Sequence, residues 1–170
     1  MATYAIFLIL PLCLAFAAFT DLFTMTIPNR VSLALISSFI LVAPFSDLSW
    51  QSIGMNFAAG IVVFSTCFAL FSINVMGGGD AKLLTASAVW FGLNSSLILF
   101  AITIAIIGGI LTAGILLLRS RSQEIMASGL PIPDSLLVAK KVPYGIAIAI
   151  AGLLTYPEAP IVQLAMQHML

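Results

Sequence analysis

Six apolar runs, parted by short polar connections, restrict what this chain of 170 residues can become. They fall at about 2–20, 28–45, 53–75, 81–93, 95–118 and 142–157. A helix needs about 20 residues to cross roughly 30 Å of hydrocarbon. The first, third and fifth runs reach that length unaided. The second suffices if Pro28 opens it, because proline suits the first helical turn. The fourth is short and is parted from the fifth by Gly92-Leu93-Asn94-Ser95-Ser96, which fits a tilted span or a re-entrant segment. Only 7% of the residues are charged, against about 25% in soluble domains. The expected fold is therefore all-α, a polytopic membrane bundle in which residues 1–170 form one domain.

Charge placement predicts the topology. Arg30, Lys82, Arg119, Arg121, Lys140 and Lys141 all fall in the first, third and fifth connections, whereas the second and fourth carry only Asp47. Basic loops stay on the cytoplasmic side, so the pattern predicts six spans with both termini outside. The first run lacks the basic flank of a signal peptide and reads as a retained span. A formal net charge of zero leaves no basic surface for nucleic acid. Cys13 and Cys67 lie inside apolar runs without CxxC neighbours and read as small buried hydrophobes. The connection 119–141 contains Gly129, Pro131 and Pro133, with a short surface helix expected near 123–127. The tail after Pro160 reads as weakly amphipathic, suited to an interface. His168, the only histidine, reads as a solvated side chain.

Against this background two acidic residues stand out. Asp80 follows Gly77, Gly78 and Gly79 at the edge of the fourth run, and Asp21 ends the first run. A charge in the bilayer costs about 2.5–3.5 kcal/mol on insertion scales, so a chain this poor in charge retains one for a purpose. Six spans put both aspartates at the cytoplasmic rim. The glycines free the backbone for conformations closed to other residues and for close approach of another chain. Two carboxylates brought together hold one proton between them, which equips them to cut a peptide bond with water. The plainer alternative is a helix cap, or a partner for Arg30 or Lys82.

Three segments carry a resemblance. Gly77-x-Gly79-Asp80-x-Lys82-Leu83 resembles the GxGD signature of intramembrane aspartic proteases, and its Lys-Leu continuation resembles the type IV prepilin leader peptidases. Asp21, followed after five residues by Ile27-Pro28-Asn29, resembles that family's first catalytic segment. Val142-Pro143-Tyr144-Gly145 resembles its proline-opened last helix. The resemblance implies catalysis by Asp21 and Asp80, with Gly77, Gly78 and Gly79 easing approach. Pro28, Asn29, Pro143, Tyr144 and Gly145 would shape helix ends at the rim, and Asn29 has the chemistry of a helix cap. Residues 80 and 82 do not share a helix face, so Lys82 is expected to meet headgroups or an acidic substrate residue.

By the same resemblance no metal or organic cofactor is called for, since water is the nucleophile. Substrates would be prepilins or pseudopilins, presenting a basic leader ahead of a hydrophobic helix. The long form of the family adds a cytoplasmic domain with two CxxC pairs and N-methyltransferase activity; neither is expected here. The compact size is similar to the prepilin peptidases of Flp-type, tight-adherence pili. Two rivals predict other features. A proton- or ion-coupled carrier calls for carboxylates near mid-membrane and paired repeats, and a non-enzymatic assembly scaffold would make both aspartates replaceable.

Overall fold

A computed structural model describes residues 2–122, 133–137, 139 and 141–167, and every regular element among them is helical. The helices are α1 (Ala2–Thr24), α2 (Asn29–Val42), α3 (Trp50–Ser72), α4 (Gly78–Phe91), α5 (Ser95–Ser120), α6 (Asp134–Leu137), α7 (Tyr144–Thr155) and α8 (Pro160–Gln167). Each apolar run becomes a helix, and the boundaries follow local chemistry. Ser49 opens α3 by accepting from the Ser52 N–H at 3.1 Å, and Asn94 opens α5 by accepting from the Ser96 N–H at 2.7 Å. Such side-chain oxygens satisfy amides that have no partner within the helix. Pro28 and Pro143 stand just before α2 and α7.

The all-α membrane bundle holds, with uneven helix lengths. Among the described residues, α1, α3 and α5 are long and apolar enough to cross a membrane. A fourth crossing exists if Tyr144–Glu158 and Pro160–Gln167, bent by 47°, act as one span. At 14 residues each, α2 and α4 extend about 21 Å, short of the hydrocarbon thickness. A 3-10 turn at Ala43–Phe45 finishes α2, and Gly92 finishes α4. The helix expected near 123–127 and His168 lie outside the described residues. The tail forms α8, which buries Ile161, Val162 and Ala165 in the bundle.

Short α4 is the central element. It packs mainly on α3 and α2, while α1 and α5 pack on α7. Residues Ala86 to Phe91 are all buried, and Trp90 is fully enclosed. The Trp90 ring meets Phe39 and Tyr156 edge-on, with centroids 5.6 and 6.3 Å away. Buried aromatics need a partner for their polar atom. Trp90 Nε1 donates to the Leu35 carbonyl at 3.0 Å, and the Tyr156 hydroxyl to the Ile6 carbonyl at 2.7 Å. Large apolar side chains such as Leu8, Leu12, Phe64, Ile106 and Leu117 point outward, as a hydrocarbon solvent permits.

Gly92 sets where α4 stops. Its φ of +75° and ψ of 166° belong to a region open essentially to glycine alone. A Cβ there would also lie 2.7 Å from Asn56 Oδ1, and Asn56 Nδ2 donates to the Val89 carbonyl at 2.7 Å. Gly92→Ala is expected to destabilise the fold by about 1–3 kcal/mol, seen as a lower thermal midpoint in detergent. Gly109→Ala, on a part of α5 where a Cβ meets nothing within 4 Å, should leave the midpoint unchanged or raise it.

Candidate active site

Asp21 lies in the last turns of α1, and its side chain is only 5% exposed. The Gly145 N–H, in the first turn of α7, donates to Asp21 Oδ2 at 2.7 Å. That bond joins positions 124 residues apart and fixes the carboxylate against the start of α7. A Cβ on Gly145 would stand 2.8 Å from Asp21 Oδ2 and 3.0 Å from Ile27 Cδ1. Glycine is required here for space, because the carboxylate and Ile27 already fill it.

The chain leaves α1 through Met25, whose φ of +54° is the left-handed turn that ends many helices. The Met25 N–H still bonds the Asp21 carbonyl at 3.0 Å. The reversal carries Ile27 back to α4, where a Cβ on Gly79 would lie 3.3 Å from Ile27 Cβ. Ile27 thus sits between Gly79 and Gly145. A Cβ on Gly78 would come 3.3 Å from the Phe71 ring. None of Gly77, Gly78 and Gly79 has a positive φ, and the last two lie inside α4. The expectation of unusual glycine conformations is corrected: these glycines make room for side chains.

Asp80 is the third residue of α4 and is partly buried. Its carboxylate turns back over Gly77, where a Cβ would meet Oδ2 at 2.6 Å. A helix-start acid reaching back toward the cap residue is a common arrangement, so the helix itself aims this side chain. Asp21, Met25, Thr26, Ile27, Asn29, Gly79 and Asp80 line one recess of about 250 Å³. Asp80 is within electrostatic reach of both Asp21 and Lys141. The fold therefore brings the two aspartates to a single cavity, at the end of the bundle where α1 finishes and α4 and α7 begin.

The surrounding residues take places that sequence reasoning only partly reached. Lys82 Nζ donates to Asn29 Oδ1 at 2.9 Å, tying the start of α2 to α4. This corrects two expectations: Lys82 has a partner within the chain, and Asn29 makes no cap bond, since the cap position belongs to Pro28. Pro143 is buried just ahead of α7. Tyr144 packs on α5, where a Cβ on Gly108 would stand 2.8 Å from its ring, and its hydroxyl lies 3.2 Å from Thr112 Oγ1. Sequence reasoning missed Met25, Thr26 and Ile27 as lining residues, although Ile27 belongs to a quoted motif. It also left Lys141 as topology alone. Among the described residues no three of His, Cys, Asp and Glu gather as metal ligands would.

A lipid-suited helical bundle with two carboxylates converging on one small recess defines a class: membrane-embedded proteins with a paired-acid site. The profile of the type IV leader peptidase family matches residues 8–113, more than half of the chain, and the chain belongs to that family. It is thus a membrane protease of a family that acts on prepilin-type substrates. Both aspartates fall inside the matched residues, while Tyr144 and Gly145 fall outside. Searches of curated proteins and of solved structures gave no match.

Gly145→Ala should displace the Asp21 carboxylate. A misplacement of about 1 Å in a catalytic constellation costs on the order of 10²-fold, and a loss of that size is expected in precursor cleavage while the protein still inserts. Lys82→Gln weakens one exposed hydrogen bond, worth about 0.5–1.5 kcal/mol. Its cleavage rate should fall by no more than about tenfold, measured in the same assay.

Proposed function

We propose that this chain is an aspartic endopeptidase that removes the leader peptide of prepilin-like proteins at the cytoplasmic face of the bacterial inner membrane. The observation that carries this reading is the shared recess of Asp21 and Asp80, contributed by helices far apart in the chain. In the reaction, the ionised carboxylate takes a proton from water as the water oxygen attacks the scissile carbonyl carbon. The protonated carboxyl donates to the carbonyl oxygen. The tetrahedral intermediate then collapses by breaking the C–N bond: the carboxylate that gave up its proton takes one back from the intermediate's hydroxyl as the carbonyl re-forms, and the proton taken from water passes to the departing amine. Both acids return to their starting roles.

The positive-inside pattern supports a multi-pass protein with this end of the bundle at the cytoplasmic side. The substrate's basic leader would approach from that side, while its hydrophobic helix stays in the apolar layer. The membrane bundle acts as a single peptidase domain, similar in compactness to the peptidases of Flp-type pili.

The test is co-expression of a prepilin with the wild-type chain, with Asp21→Asn and with Asp80→Asn, following leader loss by gel shift. The wild type is expected to shorten the precursor. Each Asn variant should insert normally and leave the precursor uncut at background level. Substantial processing by either variant would remove the paired-acid mechanism.

A further inference from the structure

Two cavities meet at Asp80 and have no other lining residue in common. One is the recess containing Asp21, Thr26 and Asn29. The other is a cleft of about 390 Å³ between α4 and α5, walled beyond Asp80 by Leu84, Ile104, Val142, Tyr144, Ile148 and the charged Lys141. Its walls are mainly apolar, whereas polar and apolar groups share the recess about equally. The cleft exists because α4 and α5, although consecutive in the chain, scarcely touch. The start of α7 spans the gap, with Tyr144 seated on Gly108 of α5.

The cleft also has a direction. Leu84 lies one helical turn beyond Asp80, and Ile148 one turn beyond Tyr144. Ile104 stands 16 residues before the end of α5 at Ser120, about 24 Å along its axis. The cavity therefore runs from Asp80 about one helical turn inward along α4 and α7, against the apolar face of α5.

We propose that a precursor crosses Asp80 in one orientation: its leader side lies in the Asp21–Asn29 recess, and the apolar residues after the scissile bond lie in the α4–α5 cleft. This rests on the peptidase reading above. A polypeptide occupying both cavities must pass the Asp80 carboxylate, which places the scissile bond there. The recess supplies two acidic groups, a hydroxyl and an amide to a basic, polar leader. The cleft supplies apolar walls to a hydrophobic helix that leaves lipid on one side only. Reversed, the leader's basic charges would face Lys141 in the cleft and be desolvated among Leu84, Ile104 and Ile148.

The test uses a synthetic precursor with a basic leader and an apolar helix of about 20 residues, reconstituted with the full chain in liposomes. Wild-type cleavage is measured first. In the Asp80→Asn background, a benzophenone side chain placed at position 104 or at position 25 is photo-activated, and the adduct is mapped by mass spectrometry. Position 104 should label the segment after the cleavage site, and position 25 the leader. Independently, Ile104→Trp, which fills the cleft, should slow cleavage at least tenfold for precursors with large side chains after the cut. Alanines at those positions should restore it, and alanines in the leader should not. If the wild type leaves the precursor intact, the peptidase reading falls. If it cuts but the labels are exchanged, position 104 labels nothing, or alanine restores nothing, the orientation is overturned and the peptidase reading stands.

Discussion

The hydrogen bond from the Gly145 N–H to Asp21 Oδ2 ties the first helix to the last third of the chain, and the site depends on it. A buried carboxylate without a donor would be costly, and here the donor comes from the first turn of α7. The close approach is possible because residue 145 has no side chain. Ile27 occupies the space left by Gly145 on one side and by Gly79 on the other. One isoleucine thus spaces α4, which carries Asp80, from the start of α7, which holds Asp21. The Lys82–Asn29 bond closes the same junction from outside.

The rest of the bundle keeps α4 where this junction needs it. α4 is too short to cross unaided and is mostly enclosed by its neighbours, with Trp90 and Phe91 locked among Phe39, Phe100 and Tyr156. Its lower end is stopped by Gly92 and its upper end delivers Asp80. A helix held by packing over nearly its whole length is a rigid mount for one acid, whereas α5 is largely exposed and meets α4 only sparsely. That asymmetry leaves an apolar cleft beside the carboxylate, and gives the α4–α5 side the character of an entrance.

Several features were open to reading before any coordinates. The six helices follow from apolar run length, and their ends from Pro28, Gly92 and Pro143. Asp21 and Asp80 stood out because charge is scarce here and costly in lipid. The glycines were read as freeing the backbone and admitting another chain; none of them has a positive φ, and the room they leave is taken by Asp80, Phe71 and Ile27. Other features were not legible. Lys82 and Asn29 are 53 residues apart, and no spacing rule pairs them. Met25 reads as an ordinary apolar residue, yet its left-handed turn redirects the chain into the site. The short length of α4 was already visible in its apolar run, whereas that of α2 was hidden because the run continues through Ala43–Phe45, a 3-10 turn.

Sequence alone determined the solvent of this protein, its helical class and the two acids worth watching, because each follows from local composition and period. Family membership rests on sequence too, through the profile over residues 8–113. Tertiary structure decided that the two acids share a cavity, that Ile27 fills the space between Gly79 and Gly145, and that Asp80 divides a polar recess from an apolar cleft. These are consequences of which helices touch. Contact between distant segments is set by the packing of whole surfaces, which no local pattern of residues encodes.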